Sequence, residues 1–262
     1  MITFLGSMEG VLPGDRDGDR FEAASSLGLD GIEVDLKLDE LGAPGRERLR
    51  ELDELRRTTE VRIPSFSLGA LNEGGLGHDD PAVREAAITA VKRAIDWAGP
   101  LGAEVILIPF FFKGSIRNDE AARDRTVNAF RELCPSAERL GVTLAYEGDL
   151  SAADITDLAR RVESKAFGCY YDFANAVWLG YDPAAEIREL ESLLCQVHMK
   201  EAKETTGDAR PGEGRVDFRA CARALTEIDY SGWMIMETPP GTPDEVARDI
   251  AFTREVFPDL KT

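Results

Sequence analysis

Histidine and cysteine are scarce in this chain of 262 residues, and basic residues are outnumbered by acidic ones. The two histidines, His78 and His198, are too few for a metal cluster carried on several imidazoles. The four cysteines, Cys134, Cys169, Cys195 and Cys221, are scattered and include no C-x-x-C pair. That spacing speaks against a thiolate-rich zinc site. In a chain this long, it fits reduced thiols in a reducing, cytoplasmic setting. Cys169 and Cys195 fall inside apolar runs, where a thiol serves as a small core residue. With 31 Lys and Arg against 49 Asp and Glu, the net charge is −18, which repels phosphate backbones and argues against a nucleic-acid partner. The longest uncharged apolar run, Val105 to Phe112, is too short for a bilayer core of about 30 Å, and the opening MITFLGSMEG has no basic stretch like that of a signal peptide. No membrane partner is therefore expected.

What the chain does have is a repeated alternation. Short β-rich runs occur at Ile2–Gly6, Gly31–Leu36, Ile63–Leu68, Val105–Phe110, Val142–Tyr146, Phe167–Tyr171, Gln196–Met199 and Trp233–Met236. Their near-continuous apolar character is that of strands buried on both faces. Helix-length amphipathic segments lie between them. In Ala82 to Ala98, the residues Val83, Ala86, Ala87, Ala90, Val91, Ala94 and Ile95 form an apolar stripe. Gly28, Gly102 and Gly141 stand where helices end before strands; Asp80-Pro81 and Asp182-Pro183 read as helix starts, and Ser151 with Asp154 resembles a capping box. Arg117–Glu120 and Thr205–Gly214 read as polar loops. Eight βα units in unbroken series predict an α/β fold, a (β/α)₈ TIM barrel forming a single domain over residues 1–262. A doubly wound open sheet is the alternative, but no Gly-x-Gly-x-x-Gly turn follows the first strand.

In such a barrel, reactive groups collect at the carboxyl ends of strands. There the fifth run, VTLAYE, ends in Glu147, and the sixth, FGCYYD, ends in Asp172. The seventh, CQVHMK, carries His198, and the eighth, WMIMET, ends in Glu237. Consecutive strands are neighbours, so these four side chains can converge. Three carboxylates brought together at the end of apolar strands would repel one another, and a divalent cation relieves that cost. Three oxygens and one imidazole suit a Mn²⁺, Mg²⁺ or Co²⁺ site better than a thiolate-rich zinc site, and Mn²⁺ is the ion expected first. The competing view is that each charged residue is simply a solvated loop residue, a view that the register of all four makes hard to hold.

The segments AYE, DFANAVWLGYDP, QVHMKE, PGEGRVDF and YSGWMIMET resemble the xylose-isomerase-like sugar isomerases and epimerases. That superfamily includes ketose 3-epimerases, pentulose-5-phosphate 3-epimerases, hydroxypyruvate isomerases and inosose dehydratases. The resemblance implies one divalent cation held by Glu147, Asp172, His198 and Glu237, and a sugar or sugar-phosphate substrate. It also implies that Glu147 and Glu237 are the two proton-transfer groups. A ketose chelated through its carbonyl and an adjacent hydroxyl would pass through an enediolate, one glutamate taking a proton and the other returning one.

Two departures matter. Free-ketohexose 3-epimerases usually carry a His three residues after the strand-six Asp and an Arg six residues after the strand-seven His; here those positions are Asn175 and Glu204. The DFANAVWLGYD segment instead resembles pentulose-5-phosphate 3-epimerases. Lys200, Lys203 and Arg215 follow strand seven and could receive a phosphate. Lys200 lies two residues past His198 and so on the same side of the strand; it either binds a substrate oxygen or pairs with a site carboxylate. Glu33 either faces substrate from the opposite wall or is a buried partner of a lysine or arginine. His78 reads as a loop residue, and Trp178 either covers the pocket or packs. Gly74, Gly75 and Gly77 suggest a mobile lid. Phe110, Phe111 and Phe112 either wall the sugar or meet another subunit in a homo-oligomer. Three rivals remain: a dehydratase of a cyclic polyol ketone, a non-catalytic sugar-binding barrel, and the related abasic-DNA endonuclease. The charge and the two histidines oppose the last.

Overall fold

The structure is a computed structural model that describes residues 4–41, 45–258 and 260. Eight parallel strands close into a barrel in the order β1-β2-β3-β4-β5-β6-β7-β8. They are β1 (Phe4–Met8), β2 (Gly31–Asp35), β3 (Ser65–Ser67), β4 (Val105–Phe110), β5 (Thr143–Gly148), β6 (Phe167–Asp172), β7 (Leu194–Met199) and β8 (Trp233–Met236). Every residue of β4 and of β6 is buried, as expected of strands with a packed interior on one side and helices on the other. The ring closes where β1 pairs with β8, Phe4 opposite Trp233 and Gly6 opposite Ile235.

The helices are α1 (Asp17–Ser26), α2 (Arg46–Thr58), α3 (Pro81–Leu101), α4 (Glu120–Leu140), α5 (Ala152–Val162), α6 (Phe173–Leu179), α7 (Pro183–Leu190), α8 (Phe218–Glu227) and α9 (Pro243–Val256). Their ends follow the chemistry of the caps. The Asp80 carboxylate accepts the Ala82 N–H at the start of α3, and Asp182 does the same for Ala184 at the start of α7, each with proline in the first turn. Gly102 and Gly141 end α3 and α4 in the left-handed conformation, at φ 75° and 68°. The Ser151 hydroxyl caps α5 by accepting the Asp154 N–H.

Contacts between Cα atoms group the chain into two units, Met1–Glu33 with Glu54–Arg62 and Tyr171–Thr262, and Val34–Asp53 with Ile63–Tyr170. In the first, Phe173 packs against Phe218 and Phe257, and the Arg62 guanidinium lies 3.6 Å above the Phe4 ring and 4.4 Å from Trp233. In the second, Phe110 stacks on Tyr146 at 4.8 Å, and Phe130 meets Phe167 edge-on.

Several expectations need correction in detail. The first strand extends to Met8 rather than ending at Gly6, and the start of the expected run, Ile2 and Thr3, lies outside the described residues. The third shrinks to Ser65–Ser67. Pro64, at its head, has no N–H to give, and Leu68, at its foot, leaves the extended region at φ −110°, ψ 53°. On α3, Ala86 is exposed, and the buried face takes in Ile88, Trp97, Ala98 and Leu101 instead. The Gly74–Gly77 segment is packed rather than loose. Leu76 is fully buried, the Gly77 carbonyl accepts from Arg125, and a Cβ on Gly77 would lie 2.8 Å from Ile116. Phe110 belongs to the core, whereas Phe112 is 79 % exposed at a left-handed φ of 50°.

Candidate metal centre

Each of the four strand-end residues is placed by the strand that carries it. Glu147 lies within β5 opposite Pro109 of β4. Asp172 is the last residue of β6, and His198 sits in β7 opposite Ile235 of β8. Glu237 follows β8 directly, its N–H bonded to the Met199 carbonyl. Glu147, Asp172, His198 and Glu237 each offer one ligand atom, and these atoms all lie within 4.8 Å of one another. Glu147, Asp172 and His198 are buried, while the Glu237 side chain keeps 27 % exposure. At that spacing, two carboxylates repel by about 3–4 kcal/mol in a medium of effective dielectric near 20. The donor set is hard oxygen plus one imidazole, which fits a divalent cation of the Mn²⁺, Mg²⁺ or Co²⁺ kind.

The cations nearest this cluster temper its repulsion. Lys200 Nζ donates to Glu237 Oε1 at 2.7 Å and lies 3.5 Å from Asp172 Oδ2. The His198 ring presents Nδ1 to Glu237 Oε2 at 3.0 Å. Burial by itself would raise the Glu237 carboxyl; the charges of His198 and Lys200 and their hydrogen bonds overcome it and hold that group well below the usual carboxylate range. Asp172 divides its two oxygens. Oδ1 accepts the Asn175 N–H at 2.7 Å and so caps α6, while Oδ2 faces His198 Nδ1 at 3.9 Å.

The other candidate residues are placed as follows. Lys200 takes up the pairing alternative, against Glu237 and Asp172. Asn175 is buried on α6, its Oδ1 accepting the Thr206 hydroxyl at 2.6 Å. Arg215 and Lys203 are exposed on the loop after β7. Glu33 is fully buried, and its Oε1 lies 3.0 Å from His198 Nε2. One partner there is the imidazole of His198. His78 stands apart from the cluster; its Nδ1 accepts the Asp80 N–H. Trp178 is 43 % exposed on α6.

Sequence reading missed Glu201. This buried carboxylate accepts the Ala202 N–H at 2.9 Å and the Val216 N–H at 3.0 Å on one oxygen, and the Gly212 N–H at 3.1 Å on the other. It thereby fixes the loop that carries Arg215. A side chain at Gly214 would run into that same carboxylate, which explains the glycine in PGEGRVDF. The available signal was an acid directly after a buried strand and ahead of a glycine-rich turn.

A closed parallel barrel with acids and an imidazole gathered at the carboxyl ends of its strands is the architecture of a TIM-barrel enzyme with a metal-competent centre. The chain belongs to the xylose isomerase-like TIM barrel family, whose sequence pattern matches residues 21–256. It is similar to the L-ribulose-5-phosphate 3-epimerase UlaE of Escherichia coli, 28 % identical over 263 residues, covering 96 % of this chain and 92 % of that protein. The enzyme of the same name from Salmonella typhi is 28 % identical over 265 residues, with the same coverage of 96 % and 92 %. Among solved structures, 3-keto-D-glucoside 4-epimerase YcjR of E. coli superposes with a TM-score of 0.81 at 19 % identity, covering 97 % of this chain and 99 % of that one. D-psicose 3-epimerase of Clostridium cellulolyticum superposes with a TM-score of 0.78 at 18 % identity and the same coverage of 97 % and 99 %.

Proposed function

We propose that this protein is a divalent-metal-dependent epimerase or isomerase of a ketose or ketose phosphate, built as one barrel domain over residues 1–262. The observation that carries the reading is the meeting of Glu147, Asp172, His198 and Glu237 within 4.8 Å. All four would hold the cation, with Mn²⁺ the first candidate. When bound, such a cation polarises a substrate carbonyl and stabilises the enediolate formed from it.

The remaining chemistry falls to the chain's own side chains. Glu147 and Glu237 stand on β5 and after β8 and would address the substrate carbon from different sides. One removes the α-proton with a carboxylate oxygen; the other returns a proton at the opposite face or at the neighbouring carbon. Lys200, bonded to Glu237 Oε1, keeps that carboxylate ionised and fixed in direction. Asn175, tied to Thr206, would contact a sugar hydroxyl. Lys203 and Arg215, exposed beyond β7, supply charge for a phosphate end, in keeping with the substrate named for the UlaE relatives. Four free cysteines accord with a reducing, cytoplasmic setting, and no helix among the described residues is long and apolar enough to cross a membrane.

The test is proton–deuterium exchange in D₂O with added Mn²⁺ over a panel of ketoses and ketose phosphates, read by NMR. Deuterium is expected at the carbon next to the carbonyl of at least one ketose, with a product of unchanged composition. Exchange accompanied by loss of water would make the enzyme a dehydratase. No exchange in any ketose by Mn²⁺-loaded protein would end the reading.

A further inference from the structure

We infer that Glu33 is a positioning residue: its carboxylate receives the Nε2–H of His198 and so aims the Nδ1 lone pair at the cation site. The inference rests on the metal reading above and extends it to a residue outside the four-residue cluster.

Glu33 is the central residue of β2, in the strand GIEVD, and no part of it reaches solvent. A carboxylate in that setting costs several kcal/mol unless it is held by charge or hydrogen bonds. Its Oε1 lies 3.0 Å from His198 Nε2, with the two side chains 0 % and 2 % exposed. The opposite ring nitrogen, Nδ1, faces the cluster, 3.0 Å from Glu237 Oε2 and 3.9 Å from Asp172 Oδ2. The two nitrogens of His198 therefore have different tasks. A carboxylate oxygen accepts a hydrogen bond, which places a hydrogen on the ring nitrogen beside Glu33. Without a cation the ring can carry a hydrogen on each nitrogen, one toward Glu33 and one toward Glu237. With a cation bound, Nδ1 would give up its hydrogen and present a lone pair on the side where the ligand atoms meet, while Nε2 keeps the hydrogen held by Glu33. A carboxylate behind a ligating histidine also makes the imidazole a stronger donor and stops it from rotating. The positions are 165 residues apart in sequence, so neither strand alone reveals the pairing.

The test measures Mn²⁺ affinity by equilibrium dialysis for wild type, Glu33→Gln, His198→Ala and the double variant. Glu33→Gln keeps shape and removes the charge, and should weaken Mn²⁺ binding by about 10- to 100-fold. In the His198→Ala background, the same substitution should make no further difference. Wild-type affinity in Glu33→Gln would overturn the inference. An equal loss in both backgrounds would overturn it too, since Glu33 would then act on the fold and not through the imidazole. Wild type that binds no Mn²⁺ would instead remove the metal reading, and the inference with it. Should Glu33→Gln fail to fold, the ¹⁵N signals of His198 in Mg²⁺-loaded wild type decide: a protonated Nε2 is expected, and an unprotonated Nε2 overturns the assignment.

Discussion

Replacing Lys200 with Met should make the protein bind Mn²⁺ more tightly while weakening the metal-free fold. The Lys200 ammonium sits 2.7 Å from Glu237 Oε1 and 3.5 Å from Asp172 Oδ2, so it serves both carboxylates in the absence of a cation. Met keeps the length of the stem and removes the charge. Breaking one side of a fully buried ion pair costs about 3–5 kcal/mol. Because the Glu237 side chain is 27 % exposed, solvent screens the loss, and about 1–3 kcal/mol is a fair expectation. In Mn²⁺-loaded protein the ion supplies the missing positive charge, and that penalty largely disappears. The difference appears as tighter binding, by about 5- to 150-fold. At a free Mn²⁺ concentration one hundred times the wild-type Kd, wild type gains about 2.7 kcal/mol and the variant about 4–6 kcal/mol. For a chain of this size, each kcal/mol moves the unfolding midpoint by about 2–4 °C. The wild-type shift on adding Mn²⁺ is then about 5–11 °C, and the variant's should exceed it by at least about 2 °C. Scanning calorimetry in EDTA and in Mn²⁺, with titration calorimetry for the affinity, makes the comparison. An unchanged or smaller Mn²⁺-induced shift in Lys200→Met would refute the argument that lysine and cation share the same carboxylates.

Two further outcomes are expected. Glu147→Gln and Glu237→Gln each keep a ligating oxygen and lose the basic one, so each should lower turnover by at least about 10²-fold, with deuterium wash-in from the two epimers impaired differently in each; near-normal wash-in by both metal-loaded variants would shift the proton to another group, Lys200 first. The Asp208 carboxylate accepts the N–H groups of Thr205, Lys203 and Glu204, which bring it from 3.8 down to about 2. A carboxyl lowered in the folded state stabilises the loop fully above its unfolded value and loses that effect as pH falls through the folded value. The amide signals of residues 203–205 should therefore titrate with a midpoint near 2, and in Asp208→Asn the transition should vanish; a midpoint at the ordinary 3.8 would show that the three bonds do not hold in solution.

Much of the barrel was legible because its strands are buried on both faces, a condition that writes itself as uninterrupted apolar runs such as VILIPF. Boundaries blurred where backbone chemistry intervened, as at Pro64 ahead of β3. The four strand-end residues stood out because a charged side chain directly after such a run needs a reason to be there. Partners across the barrel were not legible. Period-two alternation says which side Glu33 and Lys200 face, but which atoms they meet depends on strand register and barrel closure. The glycines around residue 75 misled in a different way. Glycine permits motion, but it also permits close approach, and Gly77 against Ile116 is a case of the second.

Asp172 shows how the barrel couples ligand placement to the chain that follows. With one oxygen committed to the Asn175 N–H, the carboxylate cannot swing away from the centre without uncapping α6. The converse also holds: α6 starts where the ligand stands, and Asn175 and Trp178 inherit a fixed distance from it. The residues of that short helix can therefore be exchanged, and with them the groups it presents, while Asp172 stays where it is.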